Sequence, residues 1–388
     1  MLKNILVYID PGFRLGRHYV NMGENLAVEC ASRGITLLHY VGAGIPKDFA
    51  AKHGLFKVFG NGCQPGPESS ESFRTDARTI LDNLVKYSGQ RARVICYMYC
   101  GHMEHFKVFS ELLSMPQYET IDIKFYMNLS YQDLNCGRPP DDYAEELRYF
   151  SDFLESRDTQ RRIVGIMDSR QSIKHYQPCF SRTLKLTPIP LYHRKPEART
   201  SNGQPPLTIG YFGQLNEEQG YLLATRLYEE FIENRGKNGV KFLMRVNKNS
   251  STRELMGHFE DFRKKTNCLR IVDGFVETHE HFSMVSECDI VILPYLKEFY
   301  PYRTSGIFLD ALIHSKVVVV PQDTWMSEMI NEYGSGCTFE SGDLTSLVSA
   351  LDRVTEDYSS YAALASRNIA RLHSQFSAAS LLDMLFEE

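Results

Sequence analysis

Long apolar runs, paired cysteines and an excess of one charge are all missing from this 388-residue sequence. No apolar stretch approaches the ~20 residues that span a bilayer, so no membrane helix is expected. The opening Met1 to Asp10 holds an apolar run too short for a secretion signal and reads as a first β-strand. The nine cysteines, at 30, 63, 96, 100, 136, 179, 268, 288 and 337, are odd in number and form no Cys-x-x-Cys knuckle. That argues for reduced thiols in a cytoplasmic protein. Cys96 and Cys100, with His102 and His105 close by, come nearest to a metal cluster. On one strand, however, those cysteines would stand about 13 Å apart, too far to share an ion. No Asp-x-Asp pair stands out either, so no cofactor and no metal is expected. With 43 basic side chains against 48 acidic ones, the net charge of −5 supplies no field for a polyanion. Nucleic acid is therefore not an expected partner.

What remains is an ordinary globular composition, 43% hydrophobic and 23% charged, over a length that favours two cores. Asn4 to Ile9, Ile35 to Val41, Arg93 to Tyr99 and Ile121 to Leu129 read as strands. The stretch from His18 to Arg33, closed by Gly34, reads as a helix, as does the helically spaced set Phe73, Ala77, Ile80, Leu81, Leu84 and Val85. Strands alternating with helices imply a mainly parallel sheet covered on both faces. Periodicity lapses between Pro188 and Pro206, where five prolines fall in nineteen residues. A second β-α-β pattern then starts, with strands at Leu207 to Phe212, Lys241 to Val246, Leu269 to Val272, Asp289 to Leu293 and Lys316 to Val320, and a helix from Gln219 to Arg235. The expected fold is α/β: a Rossmann-like domain over 1–188, a linker over 189–206, a second Rossmann-like domain over 207–357, and helices over 358–388 that cross back to the first. The two domains are expected to face each other across a cleft.

The most informative stretch runs from Asp289 to Pro321. An apolar strand enters a polar loop, Arg303-Thr304-Ser305-Gly306 opens a helix, and another apolar strand follows. Free N–H groups at a helix start, its dipole and an adjacent Arg suit a phosphate, while Asp310, one turn on, suits ribose hydroxyls. The blander alternative makes Ser305 a helix cap, Arg303 a surface charge and Asp310 part of a solvated face.

This stretch resembles the donor segment of family 4 retaining glycosyltransferases, which have the two-domain GT-B fold. Pro294-Tyr295, Arg303 to Gly306, Asp310-Ala311 and Ser315 to Val319 follow the family's order. Tyr300 to Gly306 resembles members that build bacterial surface polysaccharides. Residues 207–220 look like the opening of the family's C-terminal domain, Asp273-Gly274-Phe275-Val276 like the segment lying against the base, residues 12–34 like the first glycine loop and helix, and Leu184 to Pro190 like the entrance to the linker. The resemblance implies donor contacts from Gly213, Gln214, Gly274, Phe275, Val276, Tyr302, Arg303, Thr304, Ser305, Gly306 and Asp310.

Three departures stand out. The first Glu of the family's pair is here Tyr302 and the second Asp310. The Arg and Lys that neutralise the donor diphosphate are here Gln214 and Gln219, and neutral amides cannot supply that charge. Arg303 leads as their replacement, with Arg245 and Lys248 behind it. The family's first-domain His is absent, and the corresponding strand ends at Asn128-Leu129. Asn128 and His102, with Arg303, are the catalytic candidates, and Gly12, Gly16 and His18 form a diphosphate or acceptor loop after the first strand. The implied activity is transfer of a sugar from a nucleotide donor to a saccharide or lipid-linked acceptor, with retention, in surface polysaccharide synthesis. Membrane contact would be peripheral, since no strongly basic amphipathic helix is evident. An epimerase on the same fold and a non-catalytic nucleotide- or partner-binding protein are the rivals, the latter motivated by Gln214 and Gln219.

Overall fold

The structure, a computed structural model, describes residues 3–13, 18–60, 67–87, 91–129, 144–190, 206–214, 216–231, 240–246, 267–274, 276 and 278–386. The chain divides into two compact units, Met1–His193 with Gln375–Glu388, and Arg194–Ser374.

In the first unit, strands and helices alternate as β1 (Lys3–Asp10), α1 (His18–Ser32), β2 (Thr36–Gly42), α2 (Lys47–Lys52), β3 (Leu55–Phe59), α3 (Pro67–Val85), β4 (Ala92–Gly101), α4 (Met103–Leu113), β5 (Ile123–Leu129), α5 (Ala144–Arg157), β6 (Ile163–Met167), α6 (Arg170–Tyr176) and β7 (Lys185–Leu186). The seven strands form one sheet in the order β3-β2-β1-β4-β5-β6-β7. Every pairing is parallel. Central β1 buries its last six residues, Ile5 to Asp10, as a strand covered on both faces must. The edge strand β3 leaves Phe56 and Lys57 exposed, and that loss of apolar alternation hides it in the sequence. The short strands β6 and β7 escape the sequence pattern too.

The second unit runs through β8 (Leu207–Tyr211), α7 (Tyr221–Glu229), β9 (Val240–Val246), β10 (Leu269–Asp273), α8 (Thr278–Glu287), β11 (Ile290–Ile292), α9 (Gly306–Ile313), β12 (Val317–Pro321), α10 (Trp325–Tyr333), β13 (Gly336–Phe339), α11 (Leu344–Glu356) and α12 (Tyr358–Gln375). Its six strands are parallel, in the order β10-β9-β8-β11-β12-β13. Ile209, Tyr211, Phe242, Met244, Ile290, Ile292, Val317 and Val319 pack one sheet face against Leu227 and Tyr228 of α7 and Leu347 and Leu351 of α11. The helix expected from Gln219 instead begins at Tyr221: a short 3-10 turn, Glu217–Gln219, closes on Gly220 in the left-handed region, φ 66°.

The last helix, α13 (Ala378–Phe386), packs on the first sheet, where Ala378, Leu381, Leu382 and Leu385 join Leu6, Tyr8, Leu26 and Tyr97 in one core. Arg33 pairs with Asp383, and the Arg93 guanidinium donates to the Phe386 carbonyl at 2.7 Å. The return to the first unit therefore starts after Ser374 and not at 358, because α12 stays with the second unit. Residues 191–205 of the expected linker lie outside the described part.

Candidate functional site at the reversal of strand order

Counted from its own first strand, the second sheet has the order 3-2-1-4-5-6, which reverses direction between β8 and β11. Parallel sheets hold ligands outside the carboxyl ends of their strands at such a reversal. The segment after β8 leads to Gly220 and the segment after β11 to Ser305, and the two are tied across the reversal. The Leu296 N–H donates to the Glu218 carbonyl at 3.0 Å. Gln219 Nε2 donates to the Tyr300 hydroxyl at 3.0 Å, and its Oε1 accepts from the Gln214 N–H. The Tyr211 hydroxyl donates to the Gln214 carbonyl at 2.9 Å, and a Cβ on Gly213 would come within 2.6 Å of the Tyr211 hydroxyl oxygen. Gln214 and Gln219 thus hold this turn together.

Arg303 Nη1 pairs with Glu218 Oε2 at 3.2 Å, and the guanidinium lies 4.7 Å from the Tyr300 ring centroid. Tyr302 and Thr304 flank it, half-buried. Ser305 caps α9, its hydroxyl accepting from the Phe308 N–H at 3.3 Å. The N–H groups of Gly306 and Ile307 have no partner within the helix. One turn on, Asp310 Oδ2 accepts from His281 Nε2 at 2.9 Å. His281 comes from α8, lies edge-on to Phe212 at 5.6 Å, and its buried Nδ1 has no hydrogen bond among the described residues. Arg245 lies near the carboxyl end of β9, half-buried, and burial pushes its guanidinium below its ordinary pKa. Gly274 follows β10 with φ 97°, and Val276 is buried. Phe275 and Lys248 lie outside the described residues.

The first sheet reverses between β1 and β4. Asp10 ends β1 fully buried; Tyr8 donates to Oδ2 at 3.3 Å, while Oδ1 has no hydrogen bond among the described residues. Burial pushes this carboxyl up to about 7, against the pull of Tyr8 and the Gly12 N–H. His102 is the N-cap residue before α4, and its N–H donates to His105 Nδ1 at 3.1 Å. His105 is a core residue, buried and stacked on Phe73 at 4.0 Å, and that burial, helped by His102, lowers its pKa to about 3. Asn128, next to the end of β5, is buried with Oδ1 unpartnered among the described residues. Gly16 and the side chain of His18 are not among those residues.

Searches with protein-family models and against curated sequences find no match. Solved structures do match. Anabaena Alr3699/HepE in complex with UDP aligns with a TM-score of 0.67 at 13% identity over 99% of this chain and 98% of its own. A glycosyltransferase from Rickettsia africae aligns at 0.68 and 13% identity, over 99% and 97%. Sucrose-phosphate synthase from Thermosynechococcus elongatus aligns at 0.63 and 13% identity, over 99% and 98%. These are GT-B glycosyltransferases.

The chain has the GT-B fold.

At this identity the likeness speaks for the fold alone. Within this GT-B chain, the structure brings together Gln214, Arg303, Ser305, Gly306 and Asp310 on the second unit, and adds Glu218 and His281, which the sequence reading missed. No helix among the described residues is long and apolar enough to cross a membrane, and no cluster of metal-ligating side chains occurs among them. His281 gave no signal because its partner lies 29 residues away on another helix. Glu218 sat in plain view next to Gln219, but its pairing with Arg303 spans 85 residues.

Proposed function

We propose that this protein is a nucleotide-sugar-dependent glycosyltransferase. The donor lies at the carboxyl edge of the second sheet, and the first unit receives a saccharide or lipid-linked saccharide acceptor. The observation that carries the reading is the Asp310–His281 pair one turn into α9, beside the reversal of strand order. A carboxylate fixed by a histidine on one oxygen keeps acceptor capacity for ribose hydroxyls. The start of α9 offers two N–H groups and the positive end of its dipole to phosphate. Alr3699/HepE has been solved with UDP-glucose, which supports uridine nucleotides as the first ligands to test. Retention, implied by the family resemblance, would have the leaving phosphate oxygen take the acceptor's proton, so no carboxylate base is required of this chain. Surface polysaccharide synthesis and a cytoplasmic site with peripheral membrane contact complete the reading.

Calorimetric titration with UDP, GDP, TDP and CMP tests it. One nucleotide is expected to bind selectively, and Asp310→Asn should weaken it by about 1.5–3 kcal/mol, the worth of a hydrogen bond to a charged group. Pyrophosphate affinity should hold in that variant. Equal losses for both ligands would remove the ribose contact, and no binding of any nucleotide would sink the donor site. The interlocked amides of Gln214 and Gln219 favour one second reading, a nucleotide-binding protein without turnover. Binding without sugar transfer or donor hydrolysis, over a panel of acceptors, would select it.

A further inference from the structure

The donor site needs a cation for phosphate, and the structure distinguishes two arginines near it. Arg303 is engaged on both sides: Glu218 takes its Nη1 at 3.2 Å, and Tyr300 lies under its guanidinium plane. Tyr300 itself is held by Gln219, and Glu218 by the Leu296 N–H through its carbonyl. Arg303 is therefore the centre of a network joining the segments after β8 and β11. Arg245, half-buried like Arg303, differs in its partners: it has no hydrogen bond or ion pair among the described residues, and burial lowers its pKa. With no anion beside it among the described residues, a guanidinium partly withdrawn from water gains from binding one.

Its place in the sheet is fixed by register. Gly210 pairs with Leu243 and Tyr211 with Met244, so one step further sets Arg245 beside Phe212, just past the end of β8. Strand alternation puts Arg245 on the face of Gly210 and Leu243, opposite the Phe242 and Met244 core. That is the face covered by α8: a Cβ on Gly210 would come within 2.5 Å of Cys288 Sγ, at the end of that helix, and Phe212 meets His281 on it. Arg245, Phe212, His281 and, through His281, Asp310 thus belong to one corner of the sheet at its carboxyl edge.

We propose that Arg245 is the phosphate-binding cation of this site and that Arg303 is a positioning residue that braces the two segments. The proposal rests on the nucleotide-donor reading for its ligand. It states how the site compensates for Gln214 and Gln219: the charge comes from the next strand, bidentate and on rigid backbone, and not from the turn after β8.

The test titrates full-length protein with inorganic pyrophosphate and with UDP, using wild type, Arg245→Gln, Arg245→Lys and Arg303→Gln, with circular dichroism as a check on folding. Arg245→Gln should lose about tenfold or more in affinity for both ligands and flatten the dependence on salt, and Arg245→Lys should recover part of the loss. Arg303→Gln should lose about threefold or less for pyrophosphate. Arg245→Gln within twofold of wild type, or a larger loss in Arg303→Gln, overturns the proposal. Pyrophosphate binding that needs Arg245 without any nucleotide binding keeps it and removes the nucleotide reading, whereas a wild type that binds neither ligand removes both.

Discussion

Asp10 is a carboxylic acid at full burial, with one oxygen accepting from Tyr8 and the other unpartnered among the described residues. Its pKa in the fold is about 7, against 3.8 when solvated. Below pH ~4 both folded and unfolded chains hold the proton, so the group leaves stability unchanged. Between pH ~4 and ~7 the unfolded chain ionises and the folded chain does not. Stability therefore falls as pH rises through that window, by about 4 kcal/mol at most, and stays low above it. Asp10→Asn keeps the shape and removes the titration, so its stability relative to wild type should be higher at pH 8 than at pH 4. Urea denaturation at the two pH values checks this, and an equal difference at both would mean that Asp10 ionises freely in the fold. His39 and His105 act in the opposite sense. Burial holds both near 3, so each withdraws stability as pH falls from ~6.5 toward 3, where the unfolded chain takes up protons that the fold refuses. The same residue scale explains Gln219: an amide can donate to Tyr300 and accept from Gln214 at once, which a lysine in that position could not do.

At the scale of elements, the turn between β8 and α7 decides whether the candidate site is formed. Gly220 has φ 66°, and a Cβ there would come within 1.7 Å of the Pro294 carbonyl oxygen, which belongs to the segment after β11. Gly220→Ala should thus cost roughly 2–4 kcal/mol, from the left-handed backbone and from backbone that must move apart. It should also loosen the Glu218–Arg303 and Gln219–Tyr300 links. Chemical denaturation measures the first effect and nucleotide titration the second; a variant as stable as wild type would show that the two segments are not packed this closely. The resemblance to a glycine turn made residues 207–220 legible as the opening of a domain, and buried strands such as β1 and β12 announced themselves as apolar runs. Edge and short strands did not, because Lys57 in β3 and Gly336 in β13 break the apolar pattern where one side of a strand meets solvent or a close neighbour. The site was legible only where it is local in sequence. Ser305, Gly306 and Asp310 follow one another on a single helix, whereas His281–Asp310, Arg303–Glu218 and the surroundings of Arg245 are facts of packing that spacing alone does not encode.

For the molecule as a whole, two sheets with separate cores make stability a property of each unit, and a single unfolding transition is not required. The C-terminal helix α13 belongs to the first core although it follows α12 of the second unit. It contributes Ala378, Leu381, Leu382 and Leu385, all essentially fully buried, and the Arg33–Asp383 pair at the rim. At about 1.5–3 kcal/mol for each large apolar side chain buried, removal of residues 376–388 withdraws several kcal/mol from the first unit alone. By the scaling for units of this size, its midpoint should drop by roughly 10–20 °C. The second unit's transition should stay where it is. Differential scanning calorimetry reads both, and Gly220→Ala, which strikes only the second unit, identifies which transition is which. Equal displacement of the two transitions by the truncation would mean that the units unfold as one; no displacement of either would mean that α13 adds nothing to the first core.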